Sequence, residues 1–253
     1  MRRGVSRTRK RRGKDIGEHL ELLKKKGGKR RGAGRPAKGE RAGSPHKERP
    51  FHHARDPVHV VLRTVRAAGN LRRRCVYHAI RKATRTTARR QDFRIVHLSI
   101  QQDHVHLLVE ANTKAALARG MQGFQISAAK HLNAAISKES PGPRRRGSVF
   151  PDRYHRVEIT SPRQARNALN YVMNNWRRHQ EDLTERARGW HLDWYSSGPM
   201  FRDWQEHDGK AVLLEPPPNY VPLFVHPPKT WLLSVGWKNA GPISYRAVPS
   251  ERL

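Results

Sequence analysis

A stretch at Phe93–Ala111 reads FRIVHLSIQQDHVHLLVEA and contains the triplet His104-Val105-His106. Side chains two apart on a strand share a face, with roughly 7 Å between their Cα atoms, so two imidazoles placed this way can share one metal ion. A later stretch, Ser161–His179, supplies Tyr171 and Asn175. These are i and i+4, neighbours on one flank of a helix. A tyrosine held beside a bound cation can attack a phosphodiester, because the cation offsets the negative charge that repels a nucleophile.

The elements that must position these groups follow from periodicity. In the hairpin, Gln102-Asp103 form a two-residue turn, pairing Gln101 with His104, Ile100 with Val105, Ser99 with His106 and Leu98 with Leu107. Val96, Leu98 and Ile100 then meet Val105, Leu107 and Val109, and a one-residue slip would break every apolar pair. His104 and His106 project from the face opposite the helix-packed core, with His97 on their face and Asp103 in the turn. Helix Ser161–His179 opens with a capping box, Ser161 followed by Gln164, and has Pro162 in its first turn. Ala165, Leu169, Val172 and Trp176 form its apolar stripe, while Tyr171 lies about 100° from Val172, alongside Asn167, Asn174, Asn175 and Arg178.

Before the hairpin, Val58, Val60, Leu62 and Thr64 alternate as a strand face. Leu71–Arg90 is a basic helix with Leu71, Cys75, Ala79 and Lys82 or Ala83 on one side. After the hairpin, Leu117, Met121, Phe124, Ala128 and Ala135 mark a helix over Thr113–Ser137. Pro141–Arg146 is a basic loop, and Val149–Thr160 reads as a strand. The order is βαββαβ followed by a helix. That predicts an α+β, ferredoxin-like antiparallel sheet with helices on one face plus the C-terminal helix. The aromatic-rich Gly189–Trp204 is expected to pack back on the core. Prolines 216–218 and 227–228 mark an extended segment, followed by strand character over Trp231–Val248.

Charge defines the partner class. The 253 residues carry 52 Lys and Arg against 21 Asp and Glu, a net charge of +31, and a pI near 11.5. Self-repulsion on this scale gains nothing for folding and points to a polyanion, with nucleic acid foremost. Residues 1–50 hold 19 of the basic residues against 5 acidic ones and almost no aliphatic side chains. They read as a disordered basic arm, with a short helix near Asp15–Lys26. Three divisions result: an arm over 1–54, a domain over 55–205 and a Pro-rich extension over 206–253. Within the arm, Gly34-Arg35-Pro36 is similar to the core of an AT-hook, whose arginine enters a narrow minor groove. Lys130, Arg144, Arg145, Arg146, Arg153, Arg177 and Arg178 are further candidates for DNA phosphate contacts. No apolar run nears the ~20 residues that span a bilayer, and no secretory signal is visible. With a lone cysteine, Cys75, this fits a cytoplasmic, nucleoid-associated protein without a disulfide framework.

In Asp103–Val109, Met121–Phe124, the Gly147–Tyr154 approach to the last strand and Tyr171–Asn175, the chain resembles the single-tyrosine transposases with a His-hydrophobic-His motif, encoded by small insertion sequences. It is closest to those associated with repetitive palindromic elements. The resemblance covers roughly Pro57–Trp204. It implies that His104 and His106 bind a divalent metal, Mg²⁺ or Mn²⁺, with Asn175 as third ligand, and that Tyr171 is the nucleophile. The implied substrate is single-stranded hairpin DNA. The implied product is a 5′-phosphotyrosine bond and a released 3′-hydroxyl, so the strand can be rejoined without ATP. Where many relatives follow the matching asparagine with proline, this chain has Trp176. Residue types alone also permit zinc. Whether the site is built within one chain or across a homodimer stays open at this level.

Two other classes share some of these features. A non-catalytic RNA-binding module can have the same element order and charge, but HVHLLVEA lacks the stacking aromatics such modules carry on their central strands. A hydrolase using metal-bound water needs more Asp, Glu or His ligands than the acid-poor core offers. Tyr154 is a rival nucleophile, yet on a strand it has no amide partner at helical spacing.

Overall fold

The computed structural model describes residues 48–139, 141–207 and 215–250. Arg35 and the expected helix near Asp15–Lys26 lie outside them. The described order is β1 (Val58–Arg63), α1 (Arg74–Thr87), β2 (Phe93–Ile100), β3 (His104–Ala111), α2 (Lys114–Glu139), β4 (His155–Glu158) and α3 (Pro162–Arg178). The strands form one antiparallel sheet in the order β2-β3-β1-β4. This is the ferredoxin-like arrangement, in which β3 inserts between β1 and β2 and so places the triplet strand at the centre.

Each face of the sheet is covered, by different elements. Val58, Val60 and Leu62 of β1, Leu98 and Ile100 of β2, and Val105, Leu107 and Val109 of β3 pack with α1 and α2 in one core. On the other face, Val96 and Leu108 pack with the apolar stripe of α3 and with the C-terminal segment. The stripe is the expected one, since Ala165, Leu169, Val172 and Trp176 are all buried. The Ser161 hydroxyl accepts from the Gln164 N–H at 3.3 Å. The Gln164 side chain reaches back to Thr160, whose N–H and hydroxyl both donate to it.

Several local expectations are corrected. The hairpin register holds from Ile100↔Val105 to Leu98↔Leu107, but a bulge at Val96 then pairs Ile95 with Val109. Val96 therefore turns from the α1/α2 core to the α3 side, where Leu108 needs an apolar neighbour. Only His155–Glu158 of the expected strand Val149–Thr160 pairs with β1; Pro151 lacks the N–H that a ladder requires. The buried face of α1 is Val76, Tyr77, Ala79, Ile80 and Ala83, with Cys75 at its edge and Lys82 exposed. Burial and the nearby Glu139 push the Cys75 thiol up to about 11, the behaviour of an inert thiol. Trp231–Val248 forms a short helix, α4 (Trp231–Ser234), and a 3₁₀ turn rather than a strand. Gly236 fits there because a Cβ would lie 2.7 Å from the Trp231 ring.

Besides this packing, one buried carboxylate ties the C-terminal segment to the sheet. Glu110 accepts from the Arg94 guanidinium at 2.8 Å, the Lys229 N–H at 2.9 Å, and the Thr230 N–H and hydroxyl at 2.9 and 2.8 Å. Removing one member of a buried charged cluster leaves the others unpaired and costs about 3–5 kcal/mol. Glu110→Ala is expected to lose that much in urea denaturation and to expose the segment from Lys229 onward to protease.

Candidate active site

His104 and His106 alternate with Val105 and Leu107 on β3, so both imidazoles emerge on the α3 face. That face is not open. The side chain of His104 is 12% exposed and His106 is 3% exposed, because the polar flank of α3 lies over them. The Nε2 atoms of the two histidines are 2.9 Å apart. The Asn175 amide nitrogen is 2.9 Å from His106 Nε2. The Tyr171 ring meets the His106 ring edge-on, with centroids 5.2 Å apart. Thus the pair predicted on the strand and the pair predicted on the helix meet. Asn174, expected on the same flank, instead turns toward the C-terminal segment, donating to Asn170 and to the Ser244 carbonyl.

The hydrogen bonds around the pair define which ring nitrogens carry lone pairs. Asp103 does more than make the turn. Its carboxylate lies 2.6 Å from His104 Nδ1, which keeps the proton on Nδ1 and leaves Nε2 as a lone pair. His104 holds the Asp103 carboxyl below its usual range, against the effect of burial. His106 Nδ1 is 3.1 Å from Nε2 of His59, a β1 residue that sequence reasoning missed. Burial first, then the charges of His59 and His104, push His106 well below the usual imidazole range. It is therefore neutral, as a metal ligand must be.

The donor set fits a divalent cation. Two ring nitrogens 2.9 Å apart are bridged either by a hydrogen on one of them or by a cation between them, and two ligands at ~2.1 Å and a right angle stand about 3 Å apart. The Asn175 side-chain oxygen is buried without a hydrogen-bond partner. Turning the amide over brings that oxygen to the point where the nitrogen now meets His106, since the two ends of an amide are interchangeable in shape. Among the described residues, no three side chains drawn from His, Cys, Asp and Glu are grouped to hold an ion. The protein donors would then be two imidazoles and one amide, leaving positions for water or phosphate oxygens.

The remaining candidates divide by what they touch. Lys130, Arg144, Arg146 and Arg153 are exposed, and Arg178 is half-buried. Arg145 is tied to Asn133 and the Ser148 carbonyl. Arg177 donates to Asp182 and to the carbonyls of Tyr245 and His191. Those two arginines hold their own loops in place. Tyr154 lies outside the strand, packs against the α1/α2 core and is covered by Arg49, whose guanidinium carbon sits 3.8 Å from the ring centre. His179, at the end of α3, approaches the His104 ring to 5.5 Å between centroids.

His97 lies on the histidine face but is buried against Phe201 and Ser197. Burial lowers it to about 4. Between that value and the ~6.5 of an unfolded histidine, the unfolded chain takes up a proton that the folded protein refuses. Stability is therefore full above pH ~6.5 and is lost as pH falls toward 4, by on the order of 3 kcal/mol. Urea midpoints measured from pH 7 to 4.5 should decline, and less steeply in His97→Gln.

The family model described as "Transposase IS200 like" matches residues 55–175, which run from just before β1 through Tyr171 to Asn175. No curated protein matches the chain in sequence. Among solved structures, one described as a REP-associated tyrosine transposase bound to a REP hairpin is 12% identical, with a TM-score of 0.44, covering 61% of this chain and 82% of its own. A second, from Deinococcus radiodurans R1 and described as a candidate transposase, is 16% identical with a TM-score of 0.34, covering 56% and 98%. No helix of the described residues is long and apolar enough to cross a membrane.

Proposed function

Because residues 55–175 match the family model described as "Transposase IS200 like", we propose that this enzyme cleaves and rejoins single-stranded DNA at hairpin ends, with Tyr171 as nucleophile. The observation that carries the reading is the meeting of the Tyr171 ring, 5.2 Å from that of His106, with a histidine pair whose Nε2 atoms lie 2.9 Å apart. His104, His106 and Asn175 would hold a divalent cation, Mg²⁺ or Mn²⁺. When bound, the cation neutralises charge on the non-bridging phosphate oxygens and polarises the phosphorus.

The chain's own residues supply the rest. The Tyr171 oxygen bonds to phosphorus, the phenolic proton leaves to solvent, and the bond to the departing 3′-oxygen breaks. That oxygen takes up a proton and becomes a free 3′-hydroxyl. The tyrosine ester retains the energy of the broken bond, so a 3′-hydroxyl can later attack it and regenerate the phenol. Asp103 fixes His104 in the tautomer that keeps Nε2 free. Lys130, Arg144, Arg146, Arg153 and Arg178, with Arg35 in the arm, would track the phosphates. Affinity should accordingly fall steeply with salt.

The test is a denaturing gel of the protein incubated with end-labelled hairpin DNA from the flanks of its own gene, with Mg²⁺, Mn²⁺ or EDTA. A labelled protein band that needs the cation supports the reading. Free fragments at both ends with no protein attached would mean that water, not tyrosine, is the nucleophile.

A further inference from the structure

His59 faces the active site from β1, a strand that the hairpin motif does not include. It pairs across the β1–β3 ladder with Leu108, two positions beyond the Val61↔His106 pair and so on the same face of the sheet as His106. It is 3% exposed, and its ring lies nearly parallel to that of His106, at 16° with centroids 5.2 Å apart. One nitrogen, Nε2, reaches His106 Nδ1 at 3.1 Å. The other, Nδ1, is buried with no hydrogen-bond partner. A buried polar atom left unpaired costs about 1–3 kcal/mol, which is not how a residue chosen for packing behaves. Its neighbours on the α1/α2 side of β1, Val58 and Val60, are aliphatic.

We propose that His59 is a positioning residue that fixes the tautomer of His106, holding the proton on Nδ1 so that Nε2 points into the site as a lone pair. The inference rests on the reading of His106 as a metal ligand. Only one hydrogen can lie between the two rings. With a cation on Nε2, the single hydrogen of neutral His106 lies on Nδ1, where His59 Nε2, at 3.1 Å, is placed to accept it. The unpartnered Asn175 oxygen can then turn to the same cation. His59 is then protonated on Nδ1, the atom without a partner. The two ligands are thus oriented by different chemistry: His104 by the charged Asp103 and His106 by a neutral imidazole. Ligand histidines depend on such contacts, whose loss typically weakens metal binding by 10–100-fold.

Two measurements on the full chain test this. Long-range ¹H–¹⁵N correlation with saturating Mg²⁺, which is diamagnetic, reports which nitrogen of His106 is protonated, independently of activity. Mn²⁺ titration followed by electron paramagnetic resonance gives the affinity. Wild type should show His106 protonated on Nδ1. His59→Leu should show mixed tautomers and bind Mn²⁺ about 10–100-fold more weakly. His59→Gln, whose amide oxygen can accept from His106, should restore most of the affinity, and it carries the comparison if the leucine variant fails to fold. A foldable His59→Leu binding Mn²⁺ as tightly as wild type, or a His59→Gln binding it no tighter than His59→Leu, overturns the inference alone. A wild type that binds no Mn²⁺ overturns the metal reading, and this inference with it.

Discussion

Tyr171→Phe should abolish the covalent protein–DNA adduct and lower strand cleavage by at least on the order of 10³-fold, the scale on which enzymes lose rate when a nucleophile is removed. Folding and DNA affinity should stay at wild-type levels. The substitution deletes one oxygen and keeps the ring that meets His106 and His59 edge-on at 5.2 and 5.8 Å. The backbone is also unaffected, because Tyr171 sits mid-helix between buried Asn170 and Val172. Denaturing gels with labelled hairpin DNA measure the adduct, and thermal melts with gel-shift titrations check the controls. An adduct that survives in Tyr171→Phe would move the nucleophile elsewhere, to Tyr154 first. That outcome would also demand a rearrangement, since Tyr154 packs on the opposite face of the sheet beneath Arg49.

His106→Ala should be the most damaging change at the proposed metal-binding pair, for two separable reasons. Cation-dependent cleavage should fall to background, because one of the three proposed donors is gone. Stability should also drop by about 1–3 kcal/mol, since the His59 Nε2 and the Asn175 amide both lose their buried partner. His104→Ala should match it in lost cleavage but not in lost stability. His104 stands at the start of β3, and its Nδ1 partner Asp103 is solvent-exposed with 66% of its side chain accessible. Urea denaturation separates the two variants, and Mn²⁺ titration tests the shared defect. Undiminished Mn²⁺ affinity in either variant would remove that histidine from the donor set.

Much of the site was legible because its parts are local. A period of two put His104 and His106 on one face of β3, and a period of 3.6 put Tyr171 and Asn175 on one flank of α3. The turn at Gln102-Asp103 then pinned the register from Ile100 to Leu98. Ser161 and Gln164 marked the helix start, and the cap is formed where expected. Each of these depends on residues within a few positions of each other, where chain geometry leaves few alternatives.

His59 shows where that reasoning stops. Alternation along β1 already sets it on the face opposite Val58 and Val60, but nothing local says that β1 will lie beside β3. The bulge at Val96 is similar: the alternation puts Val96 on the same face as Leu98, and burial with Leu108 beneath α3 decides otherwise. The anchoring of residues 229–230 on Glu110 joins groups more than a hundred positions apart. By itself, then, the sequence determined the two candidate residue pairs, the elements that carry them and the strongly basic charge that points to a polyanion. The tertiary structure decided that α3 closes over the histidine face, that His59 lies against His106 and that the C-terminal segment packs on β3 and α3. Short-range periodicity is set by backbone sterics, whereas long-range neighbours are chosen by which faces must be buried together and which buried charges must be paired.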